Sequence, residues 1–326
     1  MPKLCIVFTG GTISMKVDDA NHSVVPALNA SDIFSSLLDH FHCYDLEMIE
    51  FSKLPSPSIT PAIMLELSLR VRALLNDDQV SGVIVVHGTD TLEETAFFLD
   101  TVLDTEKPVV VTGSMKSSSE LGYDGINNLV SSILVCLSPD ASSKGVLVVM
   151  NDQINAASEV TKTNTLSLDT FKSLDYGPIG IVDSHQVIFY RSVNYLRRKL
   201  PTDVIEPNVS LLKVVSGMDS QLLRYAIHSL NVKGIVLEAL GRGNVPPQMI
   251  EGIQEALTLG LPVVITSRCP SGRVLDTYGY EGGGRHLTHI GCMIAPNLNG
   301  QKARILLMVA LGCGMGLQEI RELLSI

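Results

Sequence analysis

Short apolar runs rich in β-branched residues recur along the chain, separated by segments in which apolar residues return every three or four positions. Runs at Leu4–Phe8, Leu46–Phe51, Val83–Val86, Val109–Thr112 and Gly145–Met150 predict strands in the first half. After a less regular stretch, Leu211–Val215, Gly234–Leu237 and Pro262–Thr266 predict more. Near-continuous Val, Ile and Leu suits strands buried on both faces, as in parallel sheets covered by helices. Helices are expected at Ala30–Leu38, Pro61–Leu75, Thr91–Leu103, Gly125–Leu137, Ser220–Leu230, Pro247–Leu257 and Ala303–Ala310. Thr91, followed three residues later by Glu94, has the form of a capping box and sets a helix start. Strands alternating with helices imply an α/β architecture.

The polar stretch 191–199, followed by Pro201 and Pro207, has the composition of a domain connection. It divides the chain into an N-terminal domain over 1–190, a linker over 191–210 and a C-terminal domain over 211–326. Each is expected to be α/β with a mainly parallel sheet, the first larger than the second. The chain has 326 residues, 45% of them hydrophobic and 18% charged, enough apolar material for large cores.

Other bulk properties narrow the function. Apolar runs such as Val83–Val86 and Val109–Val111 fall far short of the roughly 20 residues of a membrane span. Leu4–Phe8 is too short for the core of a secretory leader, and six scattered cysteines form no CxxC pair. The cytoplasm is therefore the expected compartment, with no membrane partner. Net charge is −10, with no long basic run and no tryptophan, so no nucleic-acid partner is expected either.

In open parallel sheets, ligands sit at the carboxyl ends of strands. Three predicted strands run into small, hydroxyl-rich turns: Thr9-Gly10-Gly11-Thr12, His87-Gly88-Thr89-Asp90-Thr91 and Thr112-Gly113-Ser114. Glycines there let the backbone approach a ligand closely. Plainer explanations stand beside these: a tight turn at 9–12, helix caps at Asp90 and Thr91, and, for Lys162 in Val160–Thr165 further on, a solvated lysine. Neither GxxxxGK[ST] nor GxGxxG occurs at these turns, which argues against a nucleotide. A hydroxyl nucleophile needs a base beside it, and a desolvated lysine can serve because burial favours the neutral amine. Spacing alone leaves Thr12, Thr89 and Lys162 unconnected.

The ordered series of motifs connects them. Thr9-Gly10-Gly11-Thr12-Ile13 and His87-Gly88-Thr89-Asp90-Thr91-Leu92-Glu93-Glu94-Thr95-Ala96 are followed by Lys107–Met115, Asp124-Gly125 with Asn128-Leu129, and Gly145–Asp152. Val160–Thr165, Phe171-Lys172-Ser173, Tyr176-Gly177-Pro178 and Gln301–Arg304 complete the set. Along nearly its whole length the chain resembles the bacterial-type L-asparaginase family. That resemblance implies an amidohydrolase that cleaves the side-chain amide of L-asparagine, with glutamine as a further substrate to test. It implies Thr12 as nucleophile, Thr89, Asp90 and Lys162 as a second catalytic cluster, no cofactor or metal, and a homodimer or homotetramer. Substrate contacts are implied for Ser56, Pro57, Thr89, Asp90, Ser114 and, from the C-terminal domain, Asn244.

The resemblance departs at two places. Family members commonly carry a tyrosine in the loop after the first motif; between Ser14 and Leu28 there is none, and Val24 stands in its place. Tyr278 or Tyr280 of a neighbouring subunit would be a substitute. Pro57 stands where a polar residue is usual, and proline removes a backbone donor. The missing tyrosine favours the alternative of a non-catalytic, amino-acid-sensing homologue; the retained threonines, Asp90 and Lys162 favour an enzyme. A transamidosome subunit is a further relative to weigh, but those usually carry an extra amino-terminal domain. His286 and His289 lack a companion carboxylate pattern and, like His40, His42 and Cys5, are expected to be structural.

Overall fold

The computed structural model describes residues 3–11, 15–18, 23–26, 41, 44–193 and 198–325. Two compact units, Met1–Asn194 and Tyr195–Ile326, divide the chain.

In the first unit the elements run β1 (Lys3–Phe8), β2 (Met15–Asp18), β3 (Ser23–Pro26), β4 (Asp45–Glu50), α1 (Pro61–Leu75), β5 (Val80–Val86) and α2 (Leu92–Val102). They continue with β6 (Val109–Thr112), α3 (Gly125–Leu137), β7 (Val146–Met150), β8 (Gln153–Ala156), β9 (Thr161–Lys162), β10 (Phe171–Lys172), β11 (Gly180–Asp183) and β12 (Gln186–Phe189). One sheet has the order β12-β11-β8-β7-β6-β5-β1-β4. Its pairs from β4 through β7 are parallel, and those from β7 through β12 are antiparallel.

β1 is flanked by β4 on one side and β5 on the other. Successive connections therefore diverge around it, leaving a crevice beyond the carboxyl ends of β1 and β5 where open sheets bind ligands. The strands here are buried on both faces, as their unbroken apolar sequences require. Leu4, Ile6, Phe8, Ile84, Val86 and Val110 pack with Leu129, Ile133 and Cys136 of α3. The alternate residues Cys5, Val7, Val83 and Val85, equally buried, point to the opposite face. α1 packs on β5, and α2 on β6 and β7.

α1 starts as its sequence dictates: the Thr60 hydroxyl accepts the Ile63 N–H at 3.4 Å, and Pro61 fills the first turn without a donor to satisfy. α2 also starts where expected, at Leu92 after Thr91, but not by the expected capping box. The Thr91 side chain makes no cap bond; its hydroxyl donates to the Ser56 carbonyl at 2.8 Å. A tertiary partner has displaced the local one.

The stretch read as a loop from Ser14 to Leu28 contains the β2–β3 ladder, with Val17 opposite Val24. Strands β8 to β12 lie in the segment whose pattern was less regular; at two to four residues each, they are too short to show a period. β7 and β8 join through Asn151 and Asp152, both at positive φ, the conformation of a two-residue hairpin turn. The expected helix at Ala30–Leu38, and His40 and His42, lie outside the described residues.

The second unit contains β13 (Val209–Lys213), α4 (Gln221–Ser229), β14 (Gly234–Ala239), α5 (Ile250–Thr258), β15 (Val263–Ser267), α6 (Gly284–Ile290), β16 (Met293–Ile294), α7 (Gly300–Gly312) and α8 (Leu317–Leu324). The four strands form a parallel sheet in chain order. β13 begins two residues earlier than its apolar run suggested, inside the stretch expected to be linker. α6, β16 and α8 were not legible from periodicity. His286 sits in α6 and its Nδ1 accepts the Gly282 N–H at 3.1 Å, a local structural bond. Cys5, Cys136 and Cys292 are buried, whereas Cys269 and Cys313 are exposed. Among the described residues, no helix is long and apolar enough to cross a membrane.

Candidate active site

The end of β1 is fixed by backbone chemistry. Thr9 donates both its N–H and its hydroxyl to the Val86 carbonyl, each at 3.0 Å, binding the ends of β1 and β5 together. Its own carbonyl accepts the Leu54 N–H at 3.0 Å and the Ser52 hydroxyl at 2.6 Å. Gly10 and Gly11 follow with φ of +110° and +92°. A Cβ at Gly10 would lie 2.5 Å from the Leu54 carbonyl oxygen, and one at Gly11 would lie 2.5 Å from both N and Cα of Gly88. Only glycine tolerates both the dihedral and the contact. Thr12 lies outside the described residues; the chain enters it from Gly11, whose backbone rests on Gly88.

Beyond Gly88, the sequence-predicted cluster is assembled. The Lys162 ammonium donates to Thr89 Oγ1 at 3.0 Å and to Asp90 Oδ1 at 2.8 Å, across more than seventy residues of chain. Thr89 is 7% exposed and the Lys162 side chain 16%, while the Asp90 side chain is 63% exposed. The threonine and lysine thus meet in a sheltered position, with the carboxylate presented to the outside. Lys162 stands on β9, paired with Phe171 of β10.

Ser56 joins the same group. It is buried at the start of a single 3-10 turn, Ser56–Ser58, and its hydroxyl accepts the Asp90 N–H at 3.2 Å. A hydroxyl that accepts in this way keeps its own proton for another partner. Gly88 is required to be small here too: a Cβ on it would lie 2.8 Å from both Cβ and Oγ of Ser56. Pro57 is exposed in the same turn, where a missing N–H costs nothing.

His87 is wholly buried behind the cluster. Its Nδ1 lies 2.8 Å from the Gly88 carbonyl, which can only accept, so Nδ1 carries the proton. Nε2 then accepts the Thr95 hydroxyl at 2.9 Å. Burial pushes this imidazole down to about 4, so it is neutral near pH 7. It is a strut between the turn and α2.

The third turn is organised by Asp124. Its carboxylate accepts the Ser114 hydroxyl at 2.7 Å, the N–H groups of Met115 and Lys116 at 3.0 Å each, and the Asn128 amide at 2.9 Å. Asn128 also donates to the Gly113 carbonyl at 3.0 Å and accepts the Asn151 N–H at 2.8 Å, so one buried amide ties the ends of β6 and β7. Ser114 is buried within this web and also contacts the Lys116 carbonyl. Asp124 and Asn128 appeared in the sequence only as motif residues; Asp124 directly before a predicted helix was the one local signal of a structural carboxylate. Asn244 lies in the second unit, where its Oδ1 accepts the Gly284 N–H at 3.2 Å. Tyr278 and Tyr280, both exposed, stand with ring centroids 5.6 Å apart in that unit.

Fold and site define an α/β protein whose switch-point crevice carries a threonine–lysine–aspartate cluster. Comparison with known proteins is specific. Residues 3–195 match the model of the asparaginase N-terminal domain, and residues 208–324 that of the glutaminase/asparaginase C-terminal domain. The chain is 34% identical over 314 residues to an L-asparaginase of Bacillus licheniformis, covering 95% of each chain. It is 35% identical over 335 residues to a probable L-asparaginase of Deinococcus radiodurans, covering 100% of this chain and 98% of that one. The crystal structure of a probable cytoplasmic L-asparaginase from Campylobacter jejuni superposes with a TM-score of 0.87 at 29% identity, covering 100% and 99% of the two chains. The chain belongs to the asparaginase family.

Proposed function

We propose that the protein hydrolyses the side-chain amide of L-asparagine to L-aspartate and ammonia through an acyl-enzyme on Thr12. The observation that carries this is the contact of Lys162 with both Thr89 and Asp90, directly beyond the glycine contact that leads to Thr12. Relatives named L-asparaginase at 34–35% identity support the same activity.

In this mechanism the Thr12 hydroxyl attacks the amide carbon and passes its proton on to the leaving nitrogen, which departs as ammonia. An ester on Thr12 remains. Water then adds to the ester carbon, its proton returns to the threonine oxygen, and aspartate leaves. Thr89 and Lys162 form the proton-transfer pair for one of these additions, since a hydroxyl beside an amine can exchange a proton in either direction. The oxyanion is met by backbone N–H of Thr89 and its neighbours; the Asp90 N–H is spent on Ser56 and does not serve. Ser56 offers its hydroxyl proton to the substrate α-carboxylate, and Asp90 receives the α-ammonium. Ser114 takes its place near the leaving amide, and Pro57 lines the carboxylate end without donating.

No cofactor enters this scheme, and the cytoplasm is its natural setting. The active unit is taken to be a homodimer or homotetramer, with Asn244 approaching a neighbour's site. Light scattering tests the assembly. The activity is tested by ammonia release from L-asparagine, with L-glutamine alongside; binding without turnover would favour an amino-acid sensor instead.

A further inference from the structure

Lys162 is a long side chain on a strand of two residues, and something must hold that strand still. Among the described residues β9 and β10 form a two-stranded sheet of their own, through Thr161–Lys172 and Lys162–Phe171. A lysine loses much of its rotamer freedom when fixed, and two ladder pairs, extended by the Thr163 N–H and hydroxyl on the Thr170 carbonyl at 2.8 Å each, are a short base from which to fix it.

The chain just before Lys162 carries a second anchor. Glu159, whose side chain is 0% exposed, receives a two-pronged ion pair from Arg191: Nη1 to Oε1 at 3.2 Å and Nη2 to Oε2 at 2.5 Å. Nη2 also donates to the Gly177 carbonyl, and the guanidinium lies 5.9 Å from the Tyr176 ring centroid. The Gly177 N–H in turn bonds the Ser173 carbonyl at 2.7 Å, and the Ser173 hydroxyl donates to buried Asn155 of β8 at 2.9 Å. One guanidinium therefore joins the segment entering β9, the segment leaving β10 and the chain following β12. The planar fork suits this task in a way an ammonium cannot, because it fills two carboxylate oxygens and a carbonyl at once.

We propose that Arg191, acting through Glu159, is a positioning residue that sets the Lys162 ammonium against Thr89 and Asp90. This inference rests on the catalytic role of Lys162 assigned above. Neither Arg191 nor Glu159 touches substrate in this scheme.

The test uses the full chain with Arg191→Lys, which keeps the charge and loses the fork, together with Glu159→Gln, which keeps the shape and loses the charge. For each variant that stays folded by circular dichroism, kcat and KM for L-asparagine are measured and a crystal structure determined. The expected result is a kcat at least tenfold lower, KM within threefold of wild type, and the Lys162 Nζ withdrawn beyond hydrogen-bonding distance of Thr89 Oγ1. Retention of the contact near 3.0 Å in both variants overturns the inference whatever the rate does, and so does an unchanged kcat. If one variant does not fold, the other decides; if neither does, both are repeated in about 1 M sodium sulfate, which stabilises compact states, and judged on the same distance and rate. Lys162→Met, assayed in parallel, separates the two claims. Full activity there removes the lysine's role itself, whereas loss of activity there with unaffected Arg191 and Glu159 variants sinks only the positioning role.

Discussion

Gly11 and Gly88 meet backbone to backbone: a Cβ on the first would stand 2.5 Å from both the N and the Cα of the second. Two motifs separated by about a quarter of the chain are thereby held at contact distance, at the point where the sheet topology opens a crevice. On the far side Gly88 abuts Ser56, so Gly11, Gly88 and Ser56 form a close-packed series that any added methyl would spread.

Gly11→Ala should therefore damage both stability and activity. Positive φ and a backbone clash coincide at this position, so the expected cost exceeds about 1 kcal/mol. Urea denaturation measures that cost, and kcat/KM should fall by more than the loss of folded protein explains. Gly217→Ala is the control, because its φ of +76° is also positive but nothing lies within 4 Å of the added carbon; it should destabilise without a comparable loss of kcat/KM.

Lys162→Met keeps the length of the side chain and removes the amine. A positioned acid–base group contributes roughly 10²–10⁴-fold, and kcat should fall within that range while the melting temperature stays near that of wild type. Normal turnover in this variant would rule out the proton-transfer role of the Thr89–Lys162 pair.

Ser56→Ala should act on binding. Its hydroxyl is held by the Asp90 N–H with its proton left to give, so the main effect should be a rise in KM of about tenfold, the worth of one charge-assisted hydrogen bond. An effect confined to kcat would show that Ser56 does not hold the substrate in the ground state.

His87 makes stability depend on pH. Its imidazole titrates near 4 in the folded protein, against an ordinary value of 6.5. Between those values the unfolded chain binds a proton that the folded chain does not, so acidification favours unfolding. The contribution is fully present above pH 6.5 and is lost as pH falls towards 4, about 3 kcal/mol in all. Denaturant titrations at pH 7 and pH 4.5 should show a steeper loss for wild type than for His87→Gln. Equal losses would mean that the buried imidazole is not the source.

Much of the frame was legible because parallel strands buried on both faces announce themselves as apolar runs. β6 falls on its expected residues for that reason, and α1 and α3 fall on theirs because apolar residues recur there at helical spacing. Lys162 reaches Thr89 and Asp90, and the Asp90 N–H reaches Ser56, although no property of any one segment points to its partners. What stayed hidden depends on tertiary partners. Thr91 has the local chemistry of a capping box and spends its hydroxyl on Ser56 instead. The Glu159–Arg191 pair crosses 32 residues of short strands without a period to mark it. Asp124 stood in the sequence only as part of a motif, and its place at the centre of a web around Ser114 depends on partners that folding supplies.

The most direct test of the account is ammonia release from L-asparagine by the wild-type protein and by Thr12→Ala, measured side by side at equal folded concentration. Wild type should turn over, and the variant should be slower by at least about a thousandfold, as expected for loss of a covalent nucleophile. Equal rates in the two proteins would contradict the assignment of Thr12 and, with it, the acyl-enzyme route.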